Sequence, residues 1–352
     1  MVLILIAFAL TALAAQDLSA PPAPPAQPQP AQSEPAQSQP GQSQPAPPAS
    51  NPAQSPDAQG TEPPSGDSGG FVFKTHAEEV VLHVTVVDKD RKMITNLDRN
   101  AFTVMENGKA QPITLFRHED IPVALGILID NSGSMRDKRE KVGKAALNLV
   151  RASNPQDAVF VVNFNDEYYL DQDFTSDVRK LKEALEKIDT KGGTALYDAL
   201  VASWDSELKH AKLQKKILFL VTDGYDDASR KSLEQTVESM QSENGPTIYA
   251  IGILGDEEHP KRAKRALELL AERTGGMAFF PKTVDEVDSL SSTVARDIRN
   301  QYSIVYRPTT PQTQGGYRSI QVDVKAKGYS KLVARTRSGY YAGQQHTSGG
   351  TQ

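Results

Sequence analysis

Four stretches of this chain are apolar with almost no alternation: Val123 to Ile129, Ala158 to Phe164, Ile217 to Val221, and Thr247 to Ile253. A strand with one wet face alternates apolar and polar residues, so a continuously apolar strand must be covered on both faces. Helix-like segments lie around them, near 136–152, 176–188, 195–210, 229–243, 260–273 and 285–300. Buried strands alternating with amphipathic helices predict an α/β fold with a doubly wound, mainly parallel sheet and right-handed crossovers, spanning residues 120–300.

The flanks have a different texture. Val80 to Val87 is β-branched and strand-like, and Asp88-Lys89-Asp90 closes it with turn residues. Phe102 to Met105 and Ile113 to Phe116 lie on either side of Glu106-Asn107-Gly108-Lys109, whose Asn-Gly pair predicts a hairpin between them. Residues 71–119 therefore form an N-terminal β unit. After residue 300, Tyr302 to Tyr306, Ser319 to Val324 and Leu332 to Ala334 predict a second β unit over 301–342. A few-strand unit of about 40 residues is marginal alone. The two flanks are therefore expected to pair as one small β-sandwich-like domain from which the α/β region emerges as an insertion. The competing arrangement has both flanks extending the edges of the central sheet.

The ends predict export. Val2 to Ala15 is apolar and small apart from Thr11, and Ala12-Leu13-Ala14 resembles a signal-peptidase site, so residues 1–15 are expected to be a signal peptide. Val2 directly follows Met1 where a basic residue is usual, which leaves room for a longer leader. The stretch falls short of the about 20 apolar residues of a spanning helix, and an uncleaved segment here is the one membrane attachment considered. The expected location is the periplasm, the cell surface or the extracellular space. Fifteen of the 23 prolines lie between Pro21 and Pro64, in a stretch with no aromatic residue. Such a segment cannot bury enough apolar surface to offset its ordering entropy, so 16–70 is expected to be a disordered tether reaching on the order of 150 Å. Residues 343–352 are expected to be a flexible tail.

Charge and cysteine content remove several function classes. The formal net charge is −5, and residues 1–70 hold five acids and no base. The remaining 39 acids and 39 bases cancel (39 − 39 = 0), and no basic block stands out. That argues against nucleic acid or an anionic membrane as the main partner. The absence of cysteine excludes thiol catalysis, cysteine-ligated zinc and disulfides.

Three turns carry the chemistry. The first buried run enters Asp130-Asn131-Ser132-Gly133-Ser134, the third ends in Thr222-Asp223-Gly224, and Lys191-Gly192-Gly193-Thr194 precedes a helix. Ligands of open α/β sheets bind outside the carboxyl ends of the strands, where the first two turns emerge. Asp130, Ser132, Ser134, Thr194 and Asp223 offer only oxygen, which suits a hard cation. Mg²⁺ is expected, with Mn²⁺ or Ca²⁺ as alternatives. Two carboxylates leave such an ion under-neutralised and ready for an outside carboxylate. Each turn also has a plainer reading. Asp-x-Ser-x-Ser arises by chance in roughly one chain in ten of this size, and either serine could simply cap the following helix.

Asp130-Asn131-Ser132-Gly133-Ser134-Met135, Gly192-Gly193-Thr194-Ala195-Leu196 and Thr222-Asp223-Gly224 closely resemble the metal-ion-dependent adhesion site of von Willebrand factor type A domains. The resemblance covers about 120–300, where Asp157-Ala158-Val159 and Asn163-Phe164-Asn165-Asp166 also fit. It implies a Rossmann-like fold in which the serines and the threonine bind the metal directly or nearly so. The aspartates bind it directly or through water, and a partner's Glu or Asp completes the shell. All five positions match. Val84 to Asp88, Phe102 to Lys109 and Gly339-Tyr340-Tyr341-Ala342 resemble a bacterial secreted group described only as "VWFA-related", which implies export and no defined activity.

Other chemistry is thin. The six histidines show no His-Glu-x-x-His spacing, and there is no Gly-x-Ser-x-Gly elbow, phosphate loop or dinucleotide fingerprint. His83 reads as packed or surface, and Trp204, spaced with Leu200 and Leu208, reads as core. The expectation is a non-enzymatic module that captures an acidic side chain of a protein partner, with no small-molecule substrate. The alternative is a scaffold whose metal only stiffens the loops. A Mg²⁺-dependent hydrolase has least support, because no general base stands nearby.

Overall fold

The computed structural model of the chain describes residues 79–343, apart from 188 and 256–258. The expected leader (1–15), the tether (16–70), the start of the first β unit and the tail beyond 343 fall outside the described residues.

In chain order the first elements are β1 (Val80–Asp88), β2 (Phe102–Glu106), β3 (Lys109–Gln111) and β4 (Ile113–Arg117). The middle of the chain forms β5 (Val123–Asp130), α1 (Arg139–Arg151), β6 (Ala158–Phe164), β7 (Tyr168–Thr175), α2 (Val178–Leu185) and α3 (Leu196–Ala202). It continues with β8 (Lys215–Thr222), α4 (Leu233–Met240), β9 (Thr247–Gly252), α5 (Pro260–Thr274), β10 (Ala278–Phe279) and α6 (Val287–Arg299). The last strands are β11 (Tyr302–Tyr306), β12 (Gly316–Val324), β13 (Leu332–Arg335) and β14 (Gly339–Ala342).

The four apolar runs are neighbouring strands of a six-stranded sheet ordered β10-β9-β8-β5-β6-β7. Pairing is parallel from β10 to β6. Every residue of β5, β8 and β9 is buried, as covering on both faces requires. Alternate residues of β5 face opposite cores. Leu125, Ile127 and Ile129 pack with Val142 and Leu149 of α1, Leu181 of α2 and Val294 of α6. Ala124 and Leu128 share the other core with Leu196 and Leu200 of α3, Trp204, and Leu267 of α5. Trp204 is a core residue, as its spacing with Leu200 and Leu208 predicts. The sheet is doubly wound.

Two features were not expected. The polar edge strand β7 runs antiparallel to β6, because the three-residue turn joining them is too short for a parallel crossover. The helix expected over 195–210 is α-helical only to Ala202, then continues as a π turn (Ser203–Glu207) and a 3₁₀ turn (Leu208–His210).

The flanks pair with each other in two antiparallel four-stranded sheets, ordered β13-β1-β11-β4 and β14-β12-β2-β3. Leu82 lies opposite Ile304, and Val104 opposite Val322. Val84, Phe102, Val104, Tyr302, Ile304 and Tyr340 bury one shared core, so the α/β region is inserted between the halves of a β domain. The hairpin expectation needs a correction. Asn107 and Gly108 both adopt positive φ (48° and 74°) and turn the chain, but the return strand is β3, not Ile113 to Phe116. Pro112 lacks an amide, the ladder stops there, and β4 crosses to the other sheet to pair with β11.

A polar joint fixes the β domain to the sheet. Asp297 of α6 accepts hydrogen bonds from Thr85 Oγ1 (3.1 Å) on β1, Tyr249 Oη (2.5 Å) on β9, and Arg335 on β13. Beneath it, buried Lys215 donates to the Ile298 carbonyl at 2.5 Å. Burial, with the nearby Arg299 charge, pushes the Lys215 ammonium down to about 7.

Candidate metal centre

The site sits where β5 and β8 end. Both strands stop side by side, so Asp130, the last residue of β5, and Asp223, just past β8, leave the sheet together, and neither is exposed to solvent. Asp130 Oδ1 accepts the Ser132 amide at 2.8 Å, and Oδ2 accepts Thr222 Oγ1 at 2.5 Å. Ser132 Oγ lies 3.1 Å from Ser134 Oγ, and Ser134 Oγ donates to Asp223 Oδ1 at 2.8 Å. Four of the five expected residues thus form one connected cluster.

The fifth arrives on the 191–194 loop. Gly133 donates its amide to the Gly192 carbonyl (3.2 Å), and Lys191 donates to the Asn131 carbonyl (3.0 Å), so this loop lies against the serine loop. Asp166 accepts the Gly193 amide at 2.9 Å, and Asp227 accepts the Thr194 amide at 2.7 Å. The glycines are needed for this approach. A Cβ on Gly192, where φ is +72°, would come 2.0 Å from Asp166 Oδ2, and one on Gly193 would come 2.7 Å from Asp227 Oδ1. Thr194 is buried, and its hydroxyl bonds to none of the described residues.

The plainer reading of these turns as helix caps does not hold. Ser132 precedes a 3₁₀ turn (Gly133–Met135) without capping it through its side chain, and α1 begins only at Arg139. The serine hydroxyls point to each other and to Asp223 instead. Burial pushes Asp130 up to about 7, and the Asp223 charge adds to this, while the Thr222 and Ser132 hydrogen bonds act against it. Two buried carboxylates side by side make a site short of positive charge.

Two cations that the sequence reading overlooked answer part of that need. Lys138 Nζ donates to Asp223 Oδ2. Arg139 is fully buried behind the serine loop. Its guanidinium donates to Asn131 Oδ1 (2.7 Å), Asn163 Oδ1 (2.6 Å) and the Leu185 carbonyl (3.1 Å), which fixes the loop's back. Burial lowers its pKa to about 10. No sequence signal marked them, because Lys138 lies in the turn between the Gly133–Met135 3₁₀ turn and α1, and Arg139 reads as an ordinary first helical residue. Among the described residues no three His, Cys, Asp or Glu side chains cluster as a metal site, so a cation held here would need oxygen donors beyond Asp130 and Asp223, which the serine hydroxyls can supply. The donor set fits a hard divalent ion on that chemistry.

The strand order is that of a von Willebrand factor type A-like α/β fold, joined to a β-rich part. Residues 125–225, from β5 to just past β8, match the family model of the von Willebrand factor type A domain. A probable bifunctional E2/E3 enzyme of Acanthamoeba polyphaga mimivirus is 26% identical over 219 residues, covering 58% of this chain. The chain spans only 16% of that relative's length. Among solved structures, a von Willebrand factor type A protein from Catenulispora acidiphila is 15% identical with a TM-score of 0.45, over 76% of this chain and 75% of that one. Proximal thread matrix protein 1 from the mussel byssus, described with a zinc-occupied adhesion-site motif, is 19% identical with a TM-score of 0.46. That match covers 56% of this chain and 50% of the byssus protein. None of the described helices is long and apolar enough to cross a membrane.

Proposed function

We propose that the chain is an exported, non-enzymatic binding module that captures a carboxylate of a protein partner through a divalent ion held by Asp130, Ser132, Ser134, Thr194 and Asp223. Mg²⁺ is the ion the donor set favours. The observation that carries this reading is the cluster of two buried carboxylates with the Ser132 and Ser134 hydroxyls, neither used as a helix cap, with the loop that carries Thr194 packed against the serine loop. Ser132, Ser134 and Thr194 would face the ion, Asp130 and Asp223 would neutralise it, and an open position would accept the partner. A bound ion acts here as an electrostatic bridge. Asp166 and Asp227 hold the backbone of the loop carrying Thr194, and Arg139 holds Asn131 of the serine loop.

The resemblance to an E2/E3 enzyme gives no support for catalysis, since the shared segment is a small part of that relative and this chain has no cysteine. The test is calorimetry of the purified chain with MgCl₂, followed by partner capture from the native host in MgCl₂ and in EDTA. Binding is expected for the wild type and lost in Asp130→Ala/Asp223→Ala, with capture following metal binding. No heat at millimolar MgCl₂, or capture that survives both EDTA and the double substitution, would overturn it.

A further inference from the structure

The Lys138–Asp223 contact goes beyond the ligand set. Asp223 has two carboxylate oxygens and no solvent exposure. Ser134 Oγ takes Oδ1, and the Lys138 ammonium takes Oδ2. A divalent ion at this site needs the same carboxylate, either directly or through a bound water, and an ammonium in contact with Oδ2 repels it. The lysine is not held there by backbone need. Lys138 precedes α1 without capping it through its side chain, and that side chain is still about a quarter exposed (23%). It can therefore swing into solvent on its four-carbon stem without unfolding the loop. Arg139, the next residue, cannot take its place, because its guanidinium is spent on Asn131, Asn163 and Leu185.

We infer that Lys138 is an intramolecular competitor of the divalent ion: its ammonium neutralises Asp223, must leave before the ion binds, and thereby sets the metal concentration at which the site loads. The apparent affinity for the ion is the intrinsic one reduced by the fraction of molecules in which Lys138 has already left. If the ammonium occupies Asp223 nine-tenths of the time, that reduction is about tenfold. The site would then load in a metal-rich compartment and stay empty at low metal. This inference rests on the proposed metal site.

The experiment is isothermal calorimetry with MgCl₂ and MnCl₂ on the full chain as wild type, Lys138→Met, Lys138→Arg and Lys141→Met, with thermal melts in EDTA and in MgCl₂. Lys141 is exposed on the same helix and pairs with Asp285, so its substitution removes a positive charge without touching the site. Lys138→Met is expected to bind metal about tenfold tighter than wild type, while Lys141→Met stays at wild-type affinity. Lys138→Arg keeps a cation beside Asp223 and should stay within a few-fold of wild type. Lys138→Met should also melt lower than wild type in EDTA, where Asp223 loses its counter-charge, and gain more on adding MgCl₂. Metal binding by the wild type with unchanged or weaker binding by Lys138→Met overturns the competitor and leaves the metal site standing. Equal tightening by Lys141→Met overturns it as well, because general charge would then explain the gain. Absence of binding in every variant overturns both.

Discussion

The molecule buries carboxylates in two places and treats them in opposite ways. In the β domain, Glu106 lies at the end of β2 with every need met: Tyr306 Oη donates at 2.6 Å, Tyr340 Oη at 3.0 Å, and Arg318 Nη1 at 3.3 Å. Arg318 is itself buried, and its remaining donors go to the carbonyls of Thr310 and Pro311. At the head of the parallel sheet, Asp130 and Asp223 are equally buried, yet an ammonium reaches only Asp223, and Asp130 accepts hydrogen bonds from the Ser132 amide and the Thr222 hydroxyl. A saturated buried carboxylate closes a structure, whereas an under-neutralised pair beside hydroxyls is what the proposed cation would complete. The same residue type therefore serves architecture in one sheet and the proposed function in another.

The largest expected effect breaks the saturated centre. Arg318→Met strands Glu106 among two tyrosines in a dry core, and removing one partner of a buried pair costs about 3–5 kcal/mol. Urea unfolding should show that loss, and MgCl₂ should not recover it selectively, because the metal centre lies elsewhere. Recovery by MgCl₂ to wild-type stability would mean the two centres are not independent.

A smaller effect sharpens the contrast from the other side. Arg139→Met leaves Asn131 and Asn163 without their donor behind the serine loop, at a cost of about 2–3 kcal/mol. Unlike the Arg318 substitution, it should also weaken Mg²⁺ binding, since the loop carrying Ser132 and Ser134 loses its brace. Unchanged metal affinity in a destabilised Arg139→Met would restrict Arg139 to packing.

The smallest effect concerns the buried cation at the joint. Folded Lys215 releases its proton near pH 7, against an ordinary value of 10.5. Between these values the unfolded chain binds more protons, so this residue makes stability rise with pH from about 7 to 10.5. Below pH 7 its full burial cost remains. Lys215→Met should therefore gain on wild type at pH 7, with its advantage shrinking as pH rises towards 10.5. Thermal melts of both proteins across that window check this, and a gap that widens with pH would reverse the sign.

Most of the fold was legible because full burial leaves a plain mark: β5 up to Ile129, the centre of β8 (Ile217–Val221) and most of β9 are continuously apolar. The pairing of the flanks followed from their size. Edge strand β7 was hidden because half-exposed polar strands such as Tyr168–Thr175 carry little apolar signal, and the hairpin was misjoined because Pro112 redirects the chain after three paired residues. The five proposed ligands were legible as oxygen-bearing turn residues, and four of them, Asp130, Ser132, Ser134 and Asp223, form one connected cluster. Their supports were not. Lys138 and Arg139 look like any charged pair at a helix start, and Asp166 and Asp227 look like ordinary turn residues until the Gly193 and Thr194 amides are seen against them.

The central claim is that Asp130 and Asp223 form a cation-seeking centre while Glu106 does not. Anomalous diffraction from crystals of the chain soaked in MnCl₂ tests it most directly. The account predicts one strong manganese peak among the side-chain oxygens of Ser132, Ser134 and Thr194, with Lys138 moved off Asp223, and no peak at Glu106. Crystals that diffract well but show no peak there, with Lys138 still on Asp223, would contradict it.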